Sequence, residues 1–154
     1  GRSLLLPAPA VVDSRISETI EALPLVQRVT EQYQRATMAI VPLASPDPEN
    51  STVVRTNLMS VEAVKDLVTR GAVGEIASHW WFDRAGGVVE QSDVHAIGLG
   101  LDGLYRMVER RAKTIAVVGA SRERILPLKV ALSSGLVNVL ITDHITAELL
   151  LSEE

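Results

Sequence analysis

The stretch from Lys113 to Leu150, KTIAVVGASRERILPLKVALSSGLVNVLITDHITAELL, constrains this chain more than any other. It predicts strand, tight loop, helix, strand, helix. Thr114–Val118 is a short apolar and β-branched run, and Gly119-Ala120-Ser121 is small enough for a sharp turn. Arg122–Ser134 carries Ile125, Leu128, Val130, Ala131 and Leu132 mostly on one helical face. Gly135 stands where a helix C-cap residue belongs. Val137–Ile141 reads as a second buried strand, and Asp143 can cap the helix that follows.

Two apolar strands joined through one amphipathic helix make a βαβ unit, with parallel strands and a right-handed crossover. The low polarity of these strands predicts an α/β fold: a Rossmann-like parallel sheet with helices on both faces. In such sheets ligands sit beyond the carboxyl ends of the strands. Here those ends are the loops Gly119–Arg124 and Thr142–Thr146. Backbone N–H groups at a helix start, together with the helix dipole, suit an anion such as phosphate.

At 154 residues the chain reads as one domain, long enough to bury a core. Apolar residues make up 47% and aromatics 3%, so aliphatic side chains must fill that core. Net charge is −4, and the one local basic cluster, Arg106, Arg110, Arg111 and Lys113, reads as a solvated helix end. Nucleic-acid binding by this chain alone is not expected. With no cysteine there is neither a disulfide nor thiol chemistry. No apolar run reaches membrane-spanning length, so a cytoplasmic protein without membrane contact is the default expectation. Gly1 reads as an expression remnant.

Pro7 and Pro9 force extended backbone on the residues before them, making Arg2–Ala10 an arm or first strand. Asp13 or Ser14 can cap a helix faced by Ile16, Ile20 and Leu23; Pro24 restarts it, with Val26, Val29 and Tyr33 inward. Thr37–Val41 reads as a buried strand and Pro42–Asn57 as a long loop of the kind that carries function. Ser60 can cap a helix faced by Val61, Val64, Leu67 and Val68, which Gly71 ends. Glu75–Asp83 is expected as one strand, with Trp80 and Trp81 on opposite faces in an ordinary core role, and with one of them exposed or at an interface as the alternative. Arg84–Gly87 is a turn and Val88–Glu90 the returning strand of a small hairpin. Ile97–Leu99 reads as a short strand, and Leu101–Glu109 as a helix with Leu104 and Val108 inward.

Several of these blocks carry a family likeness. VVGASRER, then Ala131-Leu132 with Gly135, then Val139-Leu140, Thr142-Asp143 and Thr146-Ala147, resemble the close of the effector-sensing domain of SorC-type bacterial transcription regulators. Gly71-Ala72-Val73-Gly74-Glu75-Ile76, followed by Phe82-Asp83 and Gly86, resembles that family's G-A-V-G-[DE]-I segment. Ile97-Gly98-Leu99 with Leu101 and Leu104, and the opening Leu6-Pro7-Ala8-Pro9, fit as well, in the family's order.

The resemblance implies a sensor module of the fold shared by sugar-phosphate isomerases and CoA transferases. It implies a phosphorylated sugar over Gly119, Ala120, Ser121 and Arg124, with Glu75 contacting sugar hydroxyls. Aligned on the A-L-x-x-G helix end, Arg124 takes the place of a phosphate-binding lysine; it keeps the charge but forks its donors. The family's Gly-hydrophobic-Gly strand end is Pro42-Leu43-Ala44 here, which weakens close backbone approach on that side. The resemblance also implies a homo-oligomer, dimer or tetramer, and DNA contact only through a helix-turn-helix upstream of this chain. An earlier βα portion of the domain lies outside it too, so the chain reads as a fragment. Arg55 is a further candidate phosphate partner, with a free surface arginine as the alternative. Asp143, whose plainer role is a helix cap, borders the expected pocket.

Catalytic patterns are weak. Gly119-Ala120-Ser121-Arg122-Glu123 lacks the closing glycine of a nucleophile elbow. His79, His95 and His144 stand far apart with no metal spacing, and Gly98-Leu99-Gly100 lacks the rest of a dinucleotide fingerprint. No catalytic residue, metal ligand or cofactor is therefore assigned. The runner-up is a sugar-phosphate isomerase-like enzyme using Glu75 or His144 as base.

Overall fold

The computed structural model describes residues 3–152, apart from 50, 78, 92, 120 and 121. The chain enters as an extended arm and forms β1 (Val11–Asp13), a 3-10 turn at Ser14–Ile16, α1 (Ser17–Glu21) and α2 (Pro24–Tyr33). Asp13 caps the turn, its carboxylate accepting from the Arg15 backbone N–H at 2.9 Å. Pro24 stands in the first turn of α2, where its missing N–H costs nothing. Val26 and Val29 of α2 are buried as expected, but Ile16 and Leu23 are exposed because α1 is too short to lay down a full stripe.

Next come β2 (Met38–Ala44), α3 (Thr52–Arg55), α4 (Val61–Thr69), β3 (Gly74–Ile76), β4 (Trp80–Phe82) and β5 (Val88–Val89). After them run β6 (Val94–Ala96), α5 (Gly100–Glu109), β7 (Lys113–Val118), α6 (Ile125–Ser133), β8 (Val139–Thr142) and α7 (His144–Ser152). A six-stranded sheet has the order β5-β4-β3-β2-β7-β8, and β1 and β6 form a separate antiparallel pair. Strands β2, β7 and β8 run parallel, as the βαβ pattern requires. Strands β3, β4 and β5 are antiparallel. The α/β class is borne out; the sheet is mixed rather than parallel, because the expected hairpin adds to its edge.

Five local expectations are corrected. Strand β2 runs on through Pro42 to Ala44, because the Pro42 carbonyl still accepts from the Ala77 N–H at 2.9 Å and only a donor is missing. The long loop after it contains the short helix α3. The single strand expected at Glu75–Asp83 is two strands, with the chain reversing near Ala77 at φ 56°. The strand near Ile97 lies earlier, at β6, and Gly98 at φ 152° turns the chain toward α5. Within α5, Leu104 and Met107 take the core, while Val108 is only half-buried.

Strand alternation assigns the two sheet faces. Val41, Leu43, Ile76, Phe82, Ala116 and Val118 meet α5 and α6 in the main core, with Leu128 and Ala131 fully buried. On the opposite face Trp81 and Val89 meet Val53 of α3 and Val64 and Leu67 of α4. That second cover stops at β3. Across β2, β7 and β8 the same face presents Ile40 at 67%, Val117 at 48% and Ile141 at 54% exposure. Register aligns Ile40 with Ile115 and Val117 with Ile141, so these side chains form one continuous apolar surface.

The basic cluster after α5 has a structural use. The Arg110 guanidinium donates to the carbonyls of Tyr33 and Ala36 at 2.9 Å, and to that of Gln34, closing the C-terminus of α2.

Candidate functional site at the carboxyl ends of the parallel strands

Because β2, β7 and β8 are parallel neighbours, their last residues share one rim. The Thr142 hydroxyl donates to the Val118 carbonyl at 2.7 Å and ties the ends of β7 and β8 together. Gly119 follows β7 directly and is exposed, and an added Cβ would meet nothing within 4 Å. Asp143 follows β8 and is half-buried. Its carboxylate accepts from the Thr146 N–H at 2.9 Å and the Thr146 hydroxyl at 3.1 Å, so the expected cap on α7 is present. Those hydrogen bonds, the backbone one first, hold the Asp143 carboxyl below the usual carboxylate range.

Arg124 is half-buried in a 3-10 turn (Arg122–Arg124) that leads into α6. The helix expected from Arg122 thus begins one turn later, at Ile125. Ala120 and Ser121 lie outside the described residues.

Glu75 reaches the same rim from the antiparallel half. It pairs with Ala44, the last residue of β2, and with Trp81 on β4. Only 2% of it is exposed. Its Oε2 atom is buried without a hydrogen-bond partner. Burial pushes the carboxyl up to about 7, because a charge in an apolar surround loses its hydration. At neutral pH it can therefore either donate or accept a hydrogen bond.

The rim thus gathers Gly119 and Asp143 just past adjoining strand ends, with Glu75 of β3 paired to Ala44 at the end of β2. Arg55 is exposed in the last turn of α3, the helix whose Val53 packs in the second core cluster. Several hollows lie elsewhere among the described residues. One of about 750 Å³ runs between α2 and α5, past Tyr33, Gly98, Arg106 and Arg110. One of about 480 Å³ is lined by Leu6, Met38, Ile40, Trp80 and Ile97. One of about 490 Å³ is lined by His79, Trp81, Gln91, His95, Asp102 and Arg106. His95 is exposed and sits 3.3 Å from Glu21, while burial lowers the pKa of half-buried His79. Among the described residues no three His, Asp or Glu side chains gather closely enough to hold a metal ion. No helix among them is long and apolar enough to cross a membrane.

Sequence reasoning set Trp80 and Trp81 on opposite faces without saying which is buried; Trp81 is, at 1% exposure, and its polar edge was missed. Its indole Nε1 is buried without a hydrogen-bond partner, on the same face as Glu75. A two-residue alternation that set Glu75 and Trp81 opposite each other across a hairpin was the signal, and reading the stretch as one strand concealed it.

The chain resembles solved structures of bacterial regulators. It is similar to a DeoR family transcriptional regulator from Listeria monocytogenes, with 26% identity and a TM-score of 0.83 over 94% of this chain and 57% of that one. A chain described as "Putative Sugar-Binding Domain of Transcriptional Repressor" from Vibrio fischeri matches at 25% identity and a TM-score of 0.78, over 95% of this chain and 56% of that one. The sorbitol operon regulator SorC from Klebsiella pneumoniae shares the fold, at 22% identity and a TM-score of 0.77, over 94% of this chain and 45% of that one. The chain therefore spans about half the length of these structures. No curated protein matches it. The sequence model of the family described as "Putative sugar-binding domain" covers residues 1–152, and the chain belongs to that family.

Proposed function

We propose that this chain is the effector-sensing and oligomerisation domain of a bacterial transcription regulator, and that its effector is a phosphorylated sugar. The observation that carries the reading is the position of Glu75, a buried carboxyl on β3 paired with the last residue of β2, beside the rim where β7 and β8 also end. The phosphate is held by Gly119, Ala120, Ser121 and Arg124, where a turn opens onto a helix. Glu75 meets sugar hydroxyls, and Arg55 and Asp143 border the site. Sensing, not turnover, is the role. Effector binding shifts the chain between arrangements of a homo-oligomer, and an upstream helix-turn-helix reports the shift to DNA. The full-length regulator lays a further α/β segment over the apolar surface of Ile40, Val117 and Ile141. Two observations support that segment: the exposure of the surface, and relatives about twice as long as this chain.

Thermal-shift measurements against a panel of sugar phosphates test the proposal. A ligand at a hundred times its Kd stabilises the native state by about 2.7 kcal/mol, a shift readily measured. A rise with a sugar phosphate, lost in Arg124→Ala, is the expected result. Consumption of the sugar phosphate by the protein would replace the sensor with the isomerase-like enzyme.

A further inference from the structure

Taken alone, Gly98-Leu99-Gly100 is an incomplete fingerprint, but Gly103 supplies the third glycine, so residues 98–103 carry the full G-x-G-x-x-G spacing. The structure sets this motif between strand β6 and helix α5. Each glycine does what a phosphate-binding turn asks of it. Gly98, at φ 152°, makes the tight turn, with the Trp80 ring 3.0 Å from where its Cβ would lie. Gly100, at φ 70°, has nothing within 4 Å of its Cβ position, so a ligand can approach the backbone. Gly103 is buried, and a Cβ there would strike the Leu99 side chain at 2.4 Å. Helix α5 is ten residues long, and its N-cap, Leu99, supplies no side-chain bond. Its first-turn N–H groups are therefore open to an anion.

The turn borders the hollow of about 490 Å³, which none of Glu75, Gly119, Arg124 and Asp143 lines. A second observation points to a ligand there. Two residues of its wall bury polar atoms that find no partner among the described residues: the acceptor Oε1 of Gln91, and the donor Nε1 of Trp81, a residue only 1% exposed. The Gln91 amide nitrogen already donates to the His79 carbonyl at 3.2 Å, so the oxygen is the end left over. Half-buried Trp80 and exposed Arg106 line the same hollow.

We propose that this hollow binds an adenine mononucleotide, at a site separate from the sugar-phosphate rim. The phosphate sits on the first turn of α5 and meets Arg106, and the adenine lies against Trp80. The base presents an amino donor beside a ring-nitrogen acceptor, the complement of Gln91 Oε1 and Trp81 Nε1. Asp102 and Glu90, on the same wall, accept from ribose hydroxyls. Strand β6 belongs to a two-stranded antiparallel pair, with no second nucleotide-binding half beside it, so the ligand is a mononucleotide and not a dinucleotide.

The test follows tryptophan emission of the whole chain during titration with AMP, adenosine and inorganic phosphate. AMP should quench the emission by stacking on Trp80, and inorganic phosphate should leave it unchanged. Arg106→Ala, at an exposed position, should weaken AMP about tenfold and leave adenosine unaffected, because only AMP has a phosphate contact to lose. Gln91→Leu should weaken AMP and adenosine alike, also about tenfold. If Gln91→Leu does not fold by circular dichroism, the split between AMP and adenosine in Arg106→Ala carries the test. Excess glucose-6-phosphate should not displace AMP. Absence of quenching by AMP, full AMP affinity in the variants, or displacement by glucose-6-phosphate overturns this site and leaves the sensor reading as it stands.

Discussion

Thr142 and Val118, on neighbouring parallel strands, are joined at their carboxyl ends by a 2.7 Å hydrogen bond from the Thr142 hydroxyl to the Val118 carbonyl. The bond fixes the relative height of the two loops that flank the rim. Thr142→Val keeps the β-branched shape and removes the bond. It should cost about 1 kcal/mol, seen as a fall in Tm of about 2–4 °C in thermal unfolding. Thr142→Ser, which keeps the hydroxyl donor, should avoid most of that loss.

Glu75 makes stability depend on pH in an unusual direction. Its folded pKa of about 7 lies above the ordinary value of 4.5. Between those values the folded state binds more protons than the unfolded one, so stability falls as pH rises through the window. Below 4.5 the carboxyl is neutral in both states and exacts no penalty; above 7 the full cost is present. The total effect is on the order of 3 kcal/mol. Denaturant unfolding from pH 4.5 to 8 should show this decline. Glu75→Gln should flatten it.

Two glycines of the site region differ in what they tolerate. A Cβ at Gly74 would lie 2.2 Å from the Phe82 ring and 2.6 Å from Pro127 Cβ, both in the packed core. Gly74→Ala should cost about 1–3 kcal/mol through overpacking. Gly119 has open space around its Cβ position. Gly119→Ala should leave Tm unchanged and weaken only phosphate binding, so paired melts and titrations separate packing from ligand approach.

The apolar surface beside the rim predicts a contrast between two aliphatic residues. Leu128 is fully buried in the main core, and Leu128→Ala should cost about 2–5 kcal/mol. Ile40 is 67% exposed, and Ile40→Ser should leave Tm nearly unaltered. The same change should reduce binding of a hydrophobic dye to the native protein, because the surface of Ile40, Val117 and Ile141 is what the dye meets.

Local pattern alone determined the βαβ unit at the end of the chain, the cap Asp143 supplies to α7, and the stop at Gly135. Each depends on a few neighbouring residues: an apolar period, an oxygen one turn ahead of a free N–H, a backbone at φ 83°. Pro42 and the reversal near Ala77 were not legible in that way. Whether Pro42 ends a strand depends on which neighbour needs its missing donor, and that neighbour is distant in sequence. Glu75 is the clearest case. Its residue type belongs to a solvated surface, and its position in a short strand does not contradict that. Only the packing of α3 and α4 over Trp81 removes it from water, and burial comes from every segment that closes over a site, not from the one that carries it.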